Sequence, residues 1–341
     1  MQNNSFRRFA VRLIVGLVAV VTLLGGVGYV QFLGNAVPAD YELFLSRKAD
    51  YQGLLDSLLP HIKHHAAFRL YAERLDLEHR FKPGHYELKQ GMDVIEIVRK
   101  IKLGDQEAVR LKFNNARIMP QLAGKLAGQI DADSVELMQV LTDPATAKRV
   151  GVEPLHLFTI FLPDTYECYW TSTPDELVDR MKREWDRFWT PERDAKRKRS
   201  GLSRYGVITL ASIVYEETRQ VDEMPRVAGV YVNRLKKGML LQADPTVKYA
   251  MQDFSLRRIL HKHLKYDSPY NTYKYKGLPP SPICMPSKQA IEAVLNYEQH
   301  EYLFFCARPT FDGYHNFAKS FGEHKKNAQA YAAELNRRKI K

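Results

Sequence analysis

Cysteine is too scarce here for a disulfide framework. Cys168, Cys284 and Cys306 are an odd number, so at least one stays unpaired within the chain. Cys306 follows the apolar run Tyr302-Leu-Phe-Phe305, which predicts a small residue buried in a strand. Metal-ligand spacing is also missing. His61, His64 and His65 lie near one another, as do His261 and His263, but without the companion thiols and carboxylates of a cage. We therefore expect no metal site and no cofactor. No period of 20 to 50 residues recurs, which argues against a solenoid. Acidic side chains fall short of basic ones, 39 against 51, giving a formal net charge of +12. No helix-turn-helix, zinc-finger or RNA-binding fingerprint accompanies that charge, so nucleic acid is not an expected partner. Anionic lipid head groups or an acidic polymer explain its sign equally well. The densest cluster, Lys196-Arg-Lys-Arg199, lies in a polar stretch and reads as a solvated face.

Charge is wholly absent from Leu13 to Leu33, a stretch long enough to cross a bilayer as a helix. Arg7, Arg8 and Arg12 precede it, while Asp40 and Glu42 follow. The positive-inside rule then makes residues 1–12 a cytoplasmic tail, 13–33 a transmembrane helix, and the remainder extracytoplasmic. A cleaved signal peptide is the rival reading, because Val37-Pro-Ala39 offers small residues at suitable offsets. The apolar run exceeds a usual signal core, which favours retention as a single-pass anchor in the cytoplasmic membrane.

Beyond the anchor, residues 40–154 read as a small α+β module. Lys82-Pro-Gly-His-Tyr-Glu-Leu88 has the pattern of a turn and strand, Met92 to Leu103 of an amphipathic helix, Glu107 to Phe113 of a strand and Ile118 to Ile130 of a helix. Residues 155–341 mix helices, expected at 206–218, 223–237, 288–297 and 321–338, with short strands. Those strands are expected at Met239 to Gln242, Tyr270 to Lys274, Tyr302 to Ala307 and Tyr314 to Ala318, with Ser287 as a helix N-cap and Asp312-Gly313 as a turn. The fold class is α+β.

Within Ile208-Thr-Leu-Ala-Ser-Ile-Val-Tyr-Glu-Glu-Thr218, Glu217 is the acid on the apolar side. Leu210, Ile213 and Val214 precede it by seven, four and three residues and share its helical face. A carboxyl held against aliphatic groups resists ionisation, so its pKa should rise toward the range of a general acid. Glu216 points elsewhere, toward Thr209, Ser212 and Ile213, and is expected to be an ordinary surface carboxylate. This helix alone also admits a plainer reading, with both acids as solvated helix-end charges.

A second helix follows over residues 220–238, with Val227, Val230, Tyr231 and Leu235 on one stripe and Gly238 as its stop. Asp244-Pro245 has the chemistry that opens a third. Tyr270-Asn-Thr-Tyr273 and the rigid Gly277-Leu-Pro-Pro-Ser-Pro-Ile283 then form an extended wall where aromatic and amide groups could meet a sugar polymer.

Taken in order, Leu162-Pro-Asp-Thr-Tyr166, Leu210-Ala-Ser-Ile-Val-Tyr-Glu-Glu-Thr218, Val230-Tyr-Val-Asn-Arg-Leu235, Leu241-Gln-Ala-Asp-Pro-Thr-Val247, Tyr270-Asn-Thr-Tyr273 and Gly277-Leu-Pro-Pro280 resemble a known family. It is the MltG or YceG-like family of membrane-anchored endolytic murein transglycosylases. The resemblance covers roughly residues 155 to 335 and departs at Tyr215, Thr159-Ile160 and Ser281, where many members carry Glu, Glu-Gly and Gly.

That resemblance implies a catalytic Glu directly before Thr218, which is Glu217. It implies endolytic cleavage of the bond between N-acetylmuramic acid and N-acetylglucosamine within peptidoglycan glycan strands, leaving 1,6-anhydro ends and terminating nascent strands. It further implies a LysM-like part in the N-terminal module, with glycan strands and inner-membrane lipid as partners, and leaves cell-wall synthases open. Gln242, Asp244, Asn271 and Thr272 are candidates for the polar lining, with an N-cap role for Asp244 standing beside substrate contact. A hydrolytic muramidase using Asp244 or Glu216 as a second carboxylate, and a non-catalytic glycan-binding scaffold, remain as alternatives.

Overall fold

The charge-free N-terminal stretch coils into α1 (Gln2–Leu33). In the computed structural model, which describes residues 2–256 and 258–338, Arg7–Leu33 is the one helix among the described residues long and apolar enough to cross a membrane. Its 27 residues reach about 40 Å at 1.5 Å per residue, more than a hydrocarbon core of about 30 Å requires. Leu13, Leu17 and Leu23 are each exposed.

Two compact units follow from the chain's contacts: residues 1–111, 129–131 and 167–172 form the first, and 112–128, 132–166 and 173–341 the second. Residues 112–128 and 132–154 thus fold with the second unit, well before residue 155. In the first unit β1 (Tyr41–Leu45) pairs antiparallel with β2 (Gly84–Leu88), in register from Tyr41 opposite Leu88 to Leu45 opposite Gly84. Between these strands run α2 (Tyr51–Leu58) and α3 (His65–Arg74), and α4 (Val94–Leu103) follows. Alternation along β1 sends Leu43 and Leu45 into a core shared with Leu54, Phe68, Tyr86 and Ile97. The amphipathic helix expected from Met92 starts at Val94, because Asp93 caps it and Glu96 completes the capping box. Gly104, at φ 73°, ends it.

Strands β3 (Ala108–Phe113) and β4 (Asp164–Tyr169) form a two-stranded sheet. Within the second unit α5 (Arg204–Glu217) is buried on every side from Val207 to Val214, Thr209 and Ser212 included, which makes it a central helix. Around it pack α6 (Met224–Lys236), α7 (Asp244–Met251) and α8 (Lys288–Leu295). Ser287 caps α8 as expected, accepting from Ala290 N at 3.2 Å. Then β5 (Phe304–Ala307) and β6 (His315–Ala318) pair antiparallel, and α9 (Phe321–Arg337) closes the fold. The architecture is α+β.

Two expected strands do not form. Residues 239–242 end with Gln242 in the left-handed region at φ 53°, and residues 271–275 fold into a turn in which Asn271 O accepts from both Lys274 N and Tyr275 N at 3.0 Å. The two segments share a single backbone bond, Gln242 N to Thr272 O. All three cysteines are free thiols, and Cys284 is the buried one, while Cys306 on β5 is only half-buried.

Candidate active site

Helix α5 stops directly after Glu217, where Thr218 turns extended and its hydroxyl donates to the buried Glu223 carboxylate at 3.3 Å. Glu217 is therefore fixed at a helix end, half-buried, with Oε1 accepting from the Tyr231 hydroxyl at 2.7 Å. Burial pushes its pKa up to about 7. Asp244 adds to the rise, whereas the Tyr231 hydrogen bond and the charges of His315 and Lys248 oppose it. Tyr231 sits on α6, 2% exposed, and burial followed by the nearby Glu217 charge holds its own pKa well above normal. It thus stays a donor in either state of the acid.

The surroundings brace that pair. Phe305 meets the Tyr231 ring edge-on at 5.8 Å. One turn along α6, the buried Arg234 donates to Leu240 O, Leu241 O, Leu303 O and the Gln242 side-chain oxygen. Gln242, expected as a polar lining group, spends its acceptor on this guanidinium.

Asp244 does not cap its helix. The N-cap position falls on Ala243, Asp244 is the first helical residue, and its Oδ1 accepts from the Tyr273 hydroxyl at 2.6 Å. Asn271 and Thr272 do not reach an open wall either, being 0% and 1% exposed. Both amide hydrogens of Asn271 are committed, to Leu264 O at 2.9 Å and Tyr266 O at 2.7 Å, and its oxygen accepts from Tyr273 N. Thr272 Oγ1 accepts from Ala243 N and pairs with Thr246 Oγ1. These two residues hold the loops that carry Asp244 and Tyr273. Glu216, expected as a free surface charge, is ion-paired with Arg117 at 3.1 Å and its side chain is 15% exposed.

A cavity of about 610 Å³ opens on one side of Glu217, bordered by Glu216, Asp244, Lys248, Arg258 and Tyr331. Another of about 320 Å³ opens past Gln220, Arg308, Tyr314 and His315. Glu217 and Tyr331 border both, so the acid stands at the junction of two arms. In the smaller arm His315 is held by Glu223, which is buried and accepts from its Nδ1 at 2.7 Å and its backbone N at 2.8 Å. A separate cavity of about 320 Å³ near Asp164 and Arg193 has its charges paired internally, Lys288 with Asp164 and Arg193 with Glu292. Tyr231 was readable from sequence only as a core residue of the α6 stripe. The rule that a buried tyrosine hydroxyl needs a partner was the available signal for it. Lys248, Arg258 and Tyr331 carried none.

Residues 46–330 match the family described as YceG-like. The chain belongs to the YceG-like family. A relative in this family, the endolytic murein transglycosylase of Bacillus subtilis strain 168, is 29% identical over 292 residues, covering 81% of this chain and 79% of that protein. The endolytic murein transglycosylase of Streptococcus pneumoniae D39 is 27% identical over 307 residues, and the match spans 55% of its length. A crystal structure of a YceG-like protein from Listeria monocytogenes superposes with a TM-score of 0.56 at 25% identity, over 85% of this chain and 99% of that one. Against the YceG-like pattern, Ser281 bonds the Tyr270 hydroxyl at 2.6 Å and Tyr215 lies under the Arg219 guanidinium at 5.2 Å.

Proposed function

We propose that this protein is an endolytic murein transglycosylase that cuts glycan strands with Glu217 as its one proton-handling group. The observation that carries this reading is the position of Glu217, an acid with pKa about 7 where two arms of a cleft meet. A polymer that enters one arm and leaves by the other presents an internal bond to the acid, which suits endolytic cutting. The names of the Bacillus and Streptococcus relatives supply the substrate class.

Neutral Glu217 gives its proton to the oxygen joining C1 of N-acetylmuramic acid to N-acetylglucosamine, and the C1–O bond breaks. Its carboxylate, with Tyr231 donating to it, stabilises the positive charge that develops at C1. The muramic acid C6 hydroxyl then closes on C1, and its proton returns to Glu217. One C–O bond breaks, one forms, and the acid is restored without water. Intramolecular attack gains from proximity. Engagement of Glu216 by Arg117 and of Asp244 by Tyr273 favours this single-acid scheme over a second carboxylate that activates water.

In this reading the cut terminates nascent strands, α1 anchors the protein in the cytoplasmic membrane with both units outside, and the first unit is a LysM-like glycan grip. The pairing of β1 with β2 around α2 and α3, with one further helical turn at Leu77–Arg80, supports that last assignment. Product analysis tests the chemistry. Full-length protein acting on isolated glycan strands should leave 1,6-anhydro ends by mass spectrometry, and Glu217→Gln should lower the rate by roughly 10² to 10⁴. Reducing ends would show a hydrolase, and full activity in Glu217→Gln would remove Glu217 from the chemistry.

A further inference from the structure

In the larger arm of the cleft the acids are engaged and the bases are not. Glu217 accepts from Tyr231, Glu216 pairs with Arg117, and Asp244 accepts from Tyr273. Lys248 and Arg258 border the same cavity and have no ion pair among the described residues. Lys248 lies one turn after Asp244 on α7, the acid-before-lysine spacing that ordinarily makes a helical ion pair. The Tyr273 hydroxyl takes the Asp244 oxygen instead, and the ammonium is left facing the cavity.

We infer that Lys248 and Arg258 form an anion subsite that binds a free carboxylate of the peptide stem on the glycan strand. This rests on the murein reading above, since in a stem-bearing strand the lactyl carboxyl of muramic acid is tied up in an amide and the free carboxylates are those of the stem. A cavity of about 610 Å³ is within the range that holds a ligand group of this size. Charge-assisted bonds from a lysine and an arginine give such a group its preference over an uncharged one. The subsite lies in the larger of the two arms that meet at the acid, so it selects stem-bearing strands and fixes their register over the bond to be cut.

Binding tests this without consuming substrate. In full-length protein carrying Glu217→Gln, affinity is measured for three uncrosslinked preparations: strands with carboxylate stems, the same strands stripped of stems by an amidase, which bares one lactyl carboxylate on each muramic acid, and stripped strands that keep attached phosphate polymers, the first two being free of them. Stem-bearing strands should bind roughly tenfold tighter, and the preference should shrink as salt rises from about 0.05 to 0.5 M. Adding Lys248→Gln and Arg258→Gln together should abolish the preference, while Lys248→Arg should keep it. Equal binding of the first two by the parent, or a preference that survives the double substitution, would overturn the subsite. So would tight binding only of stripped strands that carry phosphate, which would mark a phosphate site. Failure of the catalytic reading shows elsewhere, as reducing ends or as cleavage by Glu217→Gln, and leaves this ratio untouched.

Discussion

The hydroxyl of Tyr231 points its hydrogen at Oε1 of Glu217 across 2.7 Å, joining the end of one core helix to the middle of the next. Burial makes the neutral acid the easier state, and the tyrosine lowers the cost of the charged one. A group that must give up a proton and take it back needs both influences. Either alone would hold it in one state.

The pH profile follows from that balance. Cleavage begins with protonated Glu217, so initial rates should fall as pH rises past about 7. Tyr231→Phe removes a contact that lowers the pKa of Glu217, so the falling limb should move to higher pH while the maximal rate drops. Initial rates across pH with both proteins test this. A limb that stays in place, or moves to lower pH, would show that Tyr231 does not tune the acid.

Asn271 gives a prediction of a different kind. Its side chain serves Leu264 O, Tyr266 O and Tyr273 N inside the protein. Asn271→Ala removes a buried side chain and leaves these part-buried groups without their partner, which should cost roughly 1 to 3 kcal/mol of stability. Thermal denaturation measures the loss, and cleavage well below the melting temperature should largely survive. Unaltered melting with lost cleavage would return Asn271 to direct substrate contact.

The helical period made much of the second unit readable. Leu210, Ile213 and Val214 placed Glu217 on the apolar face, and the half-buried position of its carboxyl follows from that spacing. Ser287 and Gly238 marked helix ends through local chemistry that needs no distant partner. What escaped were choices made by tertiary contacts. Asp244 had the residue type of a cap, but Tyr273 claimed its oxygen. Glu216 had the face of a surface charge, but Arg117 reached it from 99 positions earlier. Residues 239–242 and 270–274 had β-compatible side chains, yet the left-handed Gln242 and the turn at Asn271 took their backbone out of strand geometry.

Thr159, one of the departures from the family pattern, is 3% exposed, and its hydroxyl finds no hydrogen-bond partner among the described residues. Burying such a hydroxyl costs stability that a methyl group avoids. Thr159→Val should therefore raise stability by about 1 kcal/mol, read as a higher denaturant midpoint with an unchanged slope. A lower midpoint would mean that the hydroxyl is satisfied by solvent.

Glu217 should also leave a pH-dependent mark on stability. Its folded pKa of about 7 lies above the ordinary glutamate value of 4.5 that an unfolded chain would show. Below the lower value both states are protonated and the acid carries no penalty. As pH rises the unfolded chain releases its proton first, and stability falls until the folded group ionises near 7. The loss is then complete, at most about 3 kcal/mol because the residue keeps some contact with solvent. Gln in its place cannot ionise and can still accept from Tyr231. Glu217→Gln should thus match the parent near pH 4 and exceed it by about 1 to 3 kcal/mol at pH 8, measured by denaturant unfolding at both pH values. A difference of the same size at both would show that shape, and not charge, separates the two side chains. No difference at pH 8 would mean that the buried setting does not hold the acid neutral, and the proton donor would have to be sought elsewhere.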